Sequence, residues 1–361
     1  MNATHAGSER QIAAWLMICC LVLFSLVVLG GVTRLTGSGL SITDWRPVTG
    51  VLPPMSEQAW EEVFDLYRAS PEYQQVNRGM SMSEFKVIYG YEYAHRLLAR
   101  ALGLVFVIPL VWFWVRGRIP PRLKWPLVGL LGLGLLQGWM GWYMVASGLV
   151  DIPRVSPYRL AAHLSLALII YAVMFWMALG LLRPRTGPAR GGGATGLRAL
   201  LILTAITIFS GAFVAGLKAG MVYNTFPLMA GQWVPDGLLF LEPAWRNFFE
   251  NPATVQFTHR VLALSTLALV AVLWVRALRQ PLSRTQRWSF HLLGAAVILQ
   301  VLLGIKTLLL YVPVGLGAAH QGGAVVLLSA VLFALHELGR QPERARTAVP
   351  ATGGRVAEAA G

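Results

Sequence analysis

Cysteine is almost absent from this chain of 361 residues, and the only two, Cys19 and Cys20, are adjacent within an apolar stretch. Neighbouring residues of a helix point to different faces, so these two thiols are poorly placed to bridge each other. The shortage of cysteine therefore argues against a disulfide framework and against a thiolate metal site. We interpret the two residues as small apolar side chains.

Charge is scarce as well, and this scarcity indicates a membrane protein. Charged residues make up 13% of the chain, hydrophobic residues make up 56%, and the mean hydropathy is +0.58. A bilayer core of about 30 Å is crossed by roughly 20 helical residues. Stretches of this kind are too long and continuous for barrel strands, so we predict an all-α integral membrane protein. We place eight spans near residues 12–33, 93–115, 126–146, 160–182, 198–217, 257–278, 288–310 and 316–338.

Acidic residues are missing from one side of this predicted membrane, which explains the net charge of +14. The loops after the second, fourth and sixth apolar stretches contain several arginines and no aspartate or glutamate. By the positive-inside rule, these loops and both termini lie in the cytoplasm. The charge pattern gives no support to a nucleic-acid partner. We expect the first stretch to be retained, because it lacks an Ala-x-Ala type cleavage site.

Four histidines recur in pairs and reveal an internal duplication. The frame EYAHR around His95 is echoed by QFTHR around His259, and His163 is echoed by His320. All four begin apolar stretches that run from the outside inwards, so we expect them at similar depth near the outer face. Both halves begin in the cytoplasm, which predicts parallel repeats in two pseudo-symmetric four-helix bundles.

Further matches set the boundaries of the two halves. Gly30 to Leu40 resembles Gly211 to Met221, and the pair Leu136-Gln137 is echoed by Leu299-Gln300. A Gly-rich segment divides the halves and reads as a flexible linker. We predict an N-terminal half over 1–185 with an external lid over 36–92, a linker over 186–197, a C-terminal half over 198–340 and a disordered tail over 341–361.

A buried imidazole at membrane depth is costly unless it binds something. One histidine pair in each half suits the axial ligation of two iron porphyrins by facing helices. Zinc or copper sites favour ligands clustered in one small polyhedron, often with carboxylate or thiolate. The alternative is that the histidines only cap helix ends at the interface. Glycines that allow close approach of helices or a flat macrocycle include Gly103, Gly132, Gly134, Gly138, Gly141 and Gly304.

Arg96 and Arg260 directly follow two of the histidines. Their guanidinium groups suit the fork geometry of porphyrin propionates, and the alternative is simple snorkelling to the interface.

The duplication is imperfect at one position that carries chemistry. Glu92 precedes His95 on the same helical face, whereas Gln256 takes the equivalent place before His259. A carboxylate near a heme can exchange protons or stabilise positive charge on a substrate carbon, and an amide takes up no proton at neutral pH. The difference suggests that one heme site reacts and the other carries electrons. The alternative is that Glu92 is an ordinary interfacial acid.

These residues together resemble the heme A synthase family. The external run GGVTRLTGSGLSITDWRPVTGVLPP (30–54) and the run GWYMVASGL (141–149) are similar to the family in detail, and the resemblance covers roughly residues 12–338. Some members carry a cysteine pair in the first external loop. This chain has none there, so it looks more like the proteobacterial and mitochondrial branch.

The resemblance implies oxidation of the C8 methyl of heme O to a formyl group. It implies heme O as the substrate on His95 and His163, and a permanent heme B, with its iron on His259 and His320. Glu92 matches the acidic residue of the family near the reacting methyl.

The resemblance also implies a bacterial inner membrane protein with its heme sites near the outer face. The expected partners are membrane lipid, heme O synthase and oxidase assembly factors, and the sequence does not identify the electron donor.

Two other classes remain open at this point. A diheme b-type membrane electron-transfer cytochrome would use the same four histidines without transforming either heme. A transporter built from two repeats would need helices broken at mid-membrane, whereas the polar residues here lie at the outer ends.

Overall fold

The computed structural model describes residues 3–45, 50–150, 153–185, 187–189 and 191–340, and the predicted tail 341–361 lies outside them. Within this part, eight helices are long and apolar enough to cross a membrane, and no strand forms beyond an isolated bridge. The predicted all-α membrane fold with eight spans is therefore confirmed. The spans are α1 (Ala3–Leu35), α4 (Met82–Val115), α5 (Pro121–Ala146), α6 (Pro157–Leu182), α7 (Gly192–Gly216), α9 (Pro252–Leu278), α10 (Arg284–Leu309) and α11 (Val314–Leu338).

Three shorter helices lie between the spans. α2 (Glu57–Arg68) and α3 (Pro71–Gln75) belong to the segment predicted as a lid, and α8 (Asn247–Glu250) precedes α9.

The membrane helices share two apolar cores. One core joins α1, α4, α5 and α6, and the other joins α7, α9, α10 and α11. α11 contributes to both, with Val325 and Leu328 in the first core and Leu327 and Val331 in the second. α1 packs on both α6 and α11, so the two sets of helices adjoin along this central surface.

Helix starts differ most from the sequence prediction. α4 begins at Met82, well before the apolar run, because Ser81 and Glu84 form a capping box there. α7 begins at Gly192, inside the segment predicted as a linker. Hydropathy marks where a helix becomes apolar, whereas α4 begins at its capping box; α7 begins after Gly191 with no side-chain cap.

The outer turns of α4 are the platform on which the lid helices dock. Phe64 and Tyr67 of α2 stack on Phe85 of α4 with ring centroids 4.8 and 5.1 Å apart. Trp60 meets Tyr89 edge to face at 5.0 Å. Aromatic pairs of this geometry add to area burial, so the polar first turns of α4 are explained by this contact rather than by lipid.

One carboxyl group is buried inside the lid. Glu72 accepts a hydrogen bond of 3.2 Å from the Tyr67 hydroxyl, which itself accepts one of 2.7 Å from Asn77. Burial raises the pKa of Glu72 to about 7; the hydrogen bond from Tyr67 opposes this rise, and the negative charge of Glu92 adds to it. The lid thus contains an acid that titrates near neutrality.

We predict that the lid loosens as pH rises. Glu72 binds its proton more tightly when folded, so its contribution is fully present below the ordinary pKa of 4.5 and is lost as pH rises through about 7. Hydrogen-exchange protection factors of residues 57–80 should therefore fall between pH 5 and pH 8. Glu72→Gln should remove this dependence, and Glu62→Gln, at an exposed position of α2, should keep it. An unchanged pH profile in Glu72→Gln would contradict the assignment.

Candidate functional site

Each of the four repeated histidines lies half-buried on a different membrane helix. His95 is on α4, His163 on α6, His259 on α9 and His320 on α11. Prolines begin α6 and α9, where a missing N–H costs nothing, and Asn251 caps α9 with its side chain. His163, His259 and His320 therefore lie six or seven residues after the first residue of α6, α9 and α11. His95 lies deeper in its helix, because α4 begins at Met82.

His259 and His320 face each other in the second half. Their ring centroids are 6.5 Å apart and their planes are at 86°. An imidazole nitrogen sits about 2.0–2.1 Å from a metal that it ligates and its ring centre about 1.1 Å further, so two rings on opposite sides of one metal are roughly 6 Å apart. The observed pair fits two axial ligands of one heme iron. Among the described residues, no three His, Cys, Asp or Glu side chains form a metal cluster.

The corresponding histidines of the first half are His95 on α4 and His163 on α6. A ring contact joins His259 and His320, and the pairing of His95 with His163 stays a prediction.

Each histidine packs against a glycine of the preceding membrane helix, which leaves no room for a side chain. A Cβ added at these glycines would lie 2.9–3.2 Å from the facing imidazole, closer than side chains normally approach. The pairs are Gly30 with His95, Gly141 with His163, Gly211 with His259 and Gly304 with His320.

The glycines singled out in the sequence divide into two groups. Gly141 and Gly304 contact histidines, whereas a Cβ at Gly103, Gly132, Gly134 or Gly138 would meet nothing within 4 Å. Gly30 and Gly211 are not among the glycines singled out, although each begins one of the two similar runs, 30–40 and 211–221, and this repetition could have pointed to them.

A glutamine supports one histidine-bearing helix in each half. The Gln137 amide nitrogen donates to the His163 carbonyl at 3.1 Å, and the Gln300 amide nitrogen donates to the His320 carbonyl at 2.9 Å. The Leu-Gln echo in the sequence therefore corresponds to the same contact in both halves.

Glu92 is buried and accepts four hydrogen bonds. Arg96 donates to Oε1 through Nε at 3.0 Å and through Nη2 at 2.6 Å. The Ser41 hydroxyl and the Ile42 backbone N–H each donate to Oε2 at 2.8 Å. The Arg96 guanidinium and the Ile42 N–H can only donate, so both carboxyl oxygens of Glu92 are acceptors, and the Ser41 hydroxyl also contacts the Ser38 carbonyl at 2.9 Å. These contacts tie the loop after α1 to the helix that carries His95.

The equivalent position in the second half has the opposite hydrogen-bond polarity. The Gln256 amide nitrogen donates to the Tyr223 carbonyl at 3.0 Å, and Arg260 donates to the same carbonyl at 2.9 Å. Tyr223 is two residues past Met221, and Ile42 is two residues past Leu40, so they are repeat equivalents. One half therefore holds a negative charge where the other holds a neutral amide.

Both predicted propionate contacts bind the external loops. Arg96 donates to the carbonyls of Ile42 at 2.9 Å and Asp44 at 3.3 Å, and Arg260 contacts the carbonyls of Pro227 and Leu228. A propionate would have to share these guanidinium groups with backbone oxygens.

The family of the chain follows from comparison with known proteins. Residues 13–332 match the family model COX15-CtaA, described as cytochrome oxidase assembly protein. The chain belongs to this family.

Relatives in the family match nearly the whole chain. The heme A synthase of Nitrosospira multiformis is 50% identical over 337 residues, which cover 92% of this chain and 95% of the relative. The heme A synthase of Sinorhizobium medicae is 50% identical over 323 residues, 89% of this chain and 88% of the relative. That of Nitrosomonas eutropha is 48% identical over 339 residues, 92% and 95% of the two chains.

We predict that Gly304→Ala lowers the amount of heme bound per protein. Its Cβ would lie 2.9 Å from Cε1 of His320 and would displace the ring. Alanine favours a helix over glycine by about 0.8–1.0 kcal/mol, so helix weakening does not explain a loss. The matched control is Gly103→Ala, whose Cβ meets nothing within 4 Å. Soret absorbance per purified protein measures the effect, and equal heme content in both variants would contradict it.

Proposed function

We propose that this protein oxidises the C8 methyl of heme O to the formyl group of heme A. The observation that carries the proposal is a repeat-related pair of histidines in each half, with a buried carboxylate beside only one pair. The family and its relatives support the same reaction.

In this proposal the two halves have different tasks. Heme O binds as substrate between His95 and His163, and heme B is held by His259 and His320. The bound cofactor supplies the redox chemistry, and the protein supplies position and electrostatics. The glycine contacts fix the imidazoles, because a ring packed against backbone has little freedom to turn.

The substrate carbon changes in two oxidations. The methyl is hydroxylated once to a hydroxymethyl group and a second time to a gem-diol, which loses water to give the aldehyde. Each hydroxylation replaces a C–H bond with a C–OH bond and removes two electrons from the carbon. The oxygen atom comes from water, with an external acceptor taking the two electrons, or from dioxygen, with an external donor supplying two more to reduce the second oxygen atom to water. The enzyme is therefore an oxidoreductase acting on a CH₃ group.

Glu92 acts in this scheme as the catalytic carboxylate near the carbon that is oxidised. Its four donors hold it as a fixed negative charge, which favours stabilisation of positive charge on the carbon over proton uptake. A charge that is already held in position needs no rearrangement during the reaction, and the hydrogen bonds to Glu92 provide this advantage.

The proposed location is the bacterial inner membrane, with both termini in the cytoplasm and the heme sites near the outer face. The even number of spans among the described residues supports both termini on one side, and the arginine-rich loops favour the cytoplasm as that side. A heme O synthase upstream and oxidase assembly factors downstream are the partners that this chemistry needs.

A diheme electron-transfer cytochrome is the second candidate. The glycine and glutamine contacts favour it, because the same kinds of contact occur at the histidines of both halves. The Glu92 and Gln256 difference favours the synthase. Pyridine extracts of cells with and without the gene distinguish the two: conversion of heme O to heme A supports the synthase, and unchanged heme O supports the cytochrome.

We predict that His259→Ala and His320→Ala each lose or weaken the low-spin heme B and abolish turnover. Each variant removes one of the two side chains that would hold the heme B iron. Optical spectra and extracted hemes of the purified variants measure both effects. Normal heme B in both variants would refute the assignment of this pair.

We predict that Glu92→Gln cuts conversion by about 10²–10³-fold, the usual cost of removing one preorganised electrostatic group, while leaving heme content nearly intact. Gln256→Glu should be far milder, because Arg260 lies one turn away and can pair with the new carboxylate as Arg96 pairs with Glu92. Heme O, its hydroxylated form and heme A are measured in both variants.

Ser41→Ala is the matched control for Glu92→Gln. It removes one hydrogen bond between the loop and Glu92 but keeps the charge. If Glu92→Gln makes heme A normally, or if Ser41→Ala loses as much activity, the carboxylate serves only to hold the loop.

A further inference from the structure

A serine hydroxyl lies between a helix carbonyl and one of the repeated histidines. Ser210 Oγ is 2.8 Å from the Thr207 carbonyl and 2.8 Å from Nδ1 of His259. Ser210 directly precedes Gly211, the residue against which the same imidazole packs. The imidazole is therefore held by a close steric contact and a directional hydrogen bond at once.

This contact favours one position for the proton of the His259 ring. A serine has one hydroxyl hydrogen, and the Thr207 carbonyl can only accept, so the hydrogen is directed to Thr207. The serine oxygen then accepts from His259, which places the proton on Nδ1. A neutral imidazole protonated at Nδ1 presents the lone pair of Nε2 to a metal.

Within the described residues, the ring of the equivalent histidine, His95, has no such hydrogen bond. Leu29 precedes Gly30 as Ser210 precedes Gly211, and leucine has no polar side-chain atom to offer His95. The contact between the ring and its glycine differs too. Gly30 faces Nε2 of His95, whereas the other three glycines face Cε1 of their histidines.

The second histidine of the first half is also engaged differently. The Gln137 amide nitrogen lies 3.2 Å from Nδ1 and 3.3 Å from Nε2 of His163, whereas the hydrogen bond from the Gln300 amide nitrogen goes to the carbonyl of His320. An amide N–H donates, so the ring nitrogen that it meets acts as an acceptor and its lone pair is occupied. This contact does not prepare His163 to bind iron.

We propose that Ser210 is a positioning residue that holds His259 in the iron-binding tautomer, and that the absence of this contact in the first half makes that site exchangeable. The inference rests on the proposed function, in which heme B is permanent and heme O enters and heme A leaves. A hydrogen bond to the distal nitrogen orients a metal-binding histidine and strengthens it as a ligand.

The test compares Ser210→Ala, Ser210→Thr and Ser25→Ala in the full-length holoprotein. Ser25 makes the same kind of hydroxyl-to-carbonyl bond within α1 and touches no histidine, so it is the matched control. The readouts are the rate of heme B transfer to apomyoglobin and the midpoint potential of heme B. Loss of a supporting hydrogen bond typically costs about 10–100-fold in metal affinity.

Ser210→Ala should release heme B faster by about 10–100-fold and shift its midpoint potential in the positive direction, because a weaker donor stabilises ferric iron less. Ser210→Thr, which keeps the hydroxyl, should restore both values, and Ser25→Ala should match the parent. Leu29→Ser should slow heme release from the first half.

If Ser210→Ala matches the parent in both readouts while His259→Ala loses heme B, the inference fails and the proposed function stands. If His259→Ala keeps heme B, the ligand assignment itself fails. If Ser210→Thr behaves as Ser210→Ala, the side chain acts through packing and not through its hydroxyl, which also overturns the inference.

Discussion

The close approach of four imidazoles to four helix backbones is the contact on which the site depends. Placing an imidazole inside a membrane costs free energy unless something binds it, and close packing by its neighbours fixes the position of the ring. A glycine on the preceding membrane helix packs against each of the four rings. The duplication therefore preserves the contact with glycine as well as the histidine itself. Contacts of this kind hold the rings of His259 and His320 with their centroids 6.5 Å apart.

The two halves differ in what surrounds their histidines. Glu92 accepts hydrogen bonds from the loop after α1, whereas Gln256 donates to a carbonyl of the loop after α7, so one half has a carboxyl group where the other has an amide. Ser210 contacts His259, whereas its counterpart Leu29 has no polar side-chain atom. In the proposed function, these small differences within a duplicated scaffold separate a reacting site from a resident one.

Sequence patterns predicted the parts of this molecule that depend on periodicity and composition. The eight spans, the pairing of His259 with His320 and the matching glutamines all follow from apolar runs and repeated frames. The early start of α4 was missed, because the Ser81 cap precedes the apolar run. The contact of Ser41 with Glu92 was missed as well, because it joins residues far apart in the chain. Neither a cap nor a long-range hydrogen bond alters hydropathy.

The central claim is that heme O occupies the first half beside Glu92 while heme B occupies the second. A cryo-electron microscopy map of the protein purified with both hemes tests it most directly. The account predicts one porphyrin between His259 and His320, and heme O between His95 and His163 with its C8 methyl nearest to Glu92. Heme O in the second half, or a C8 methyl turned away from Glu92, would contradict it.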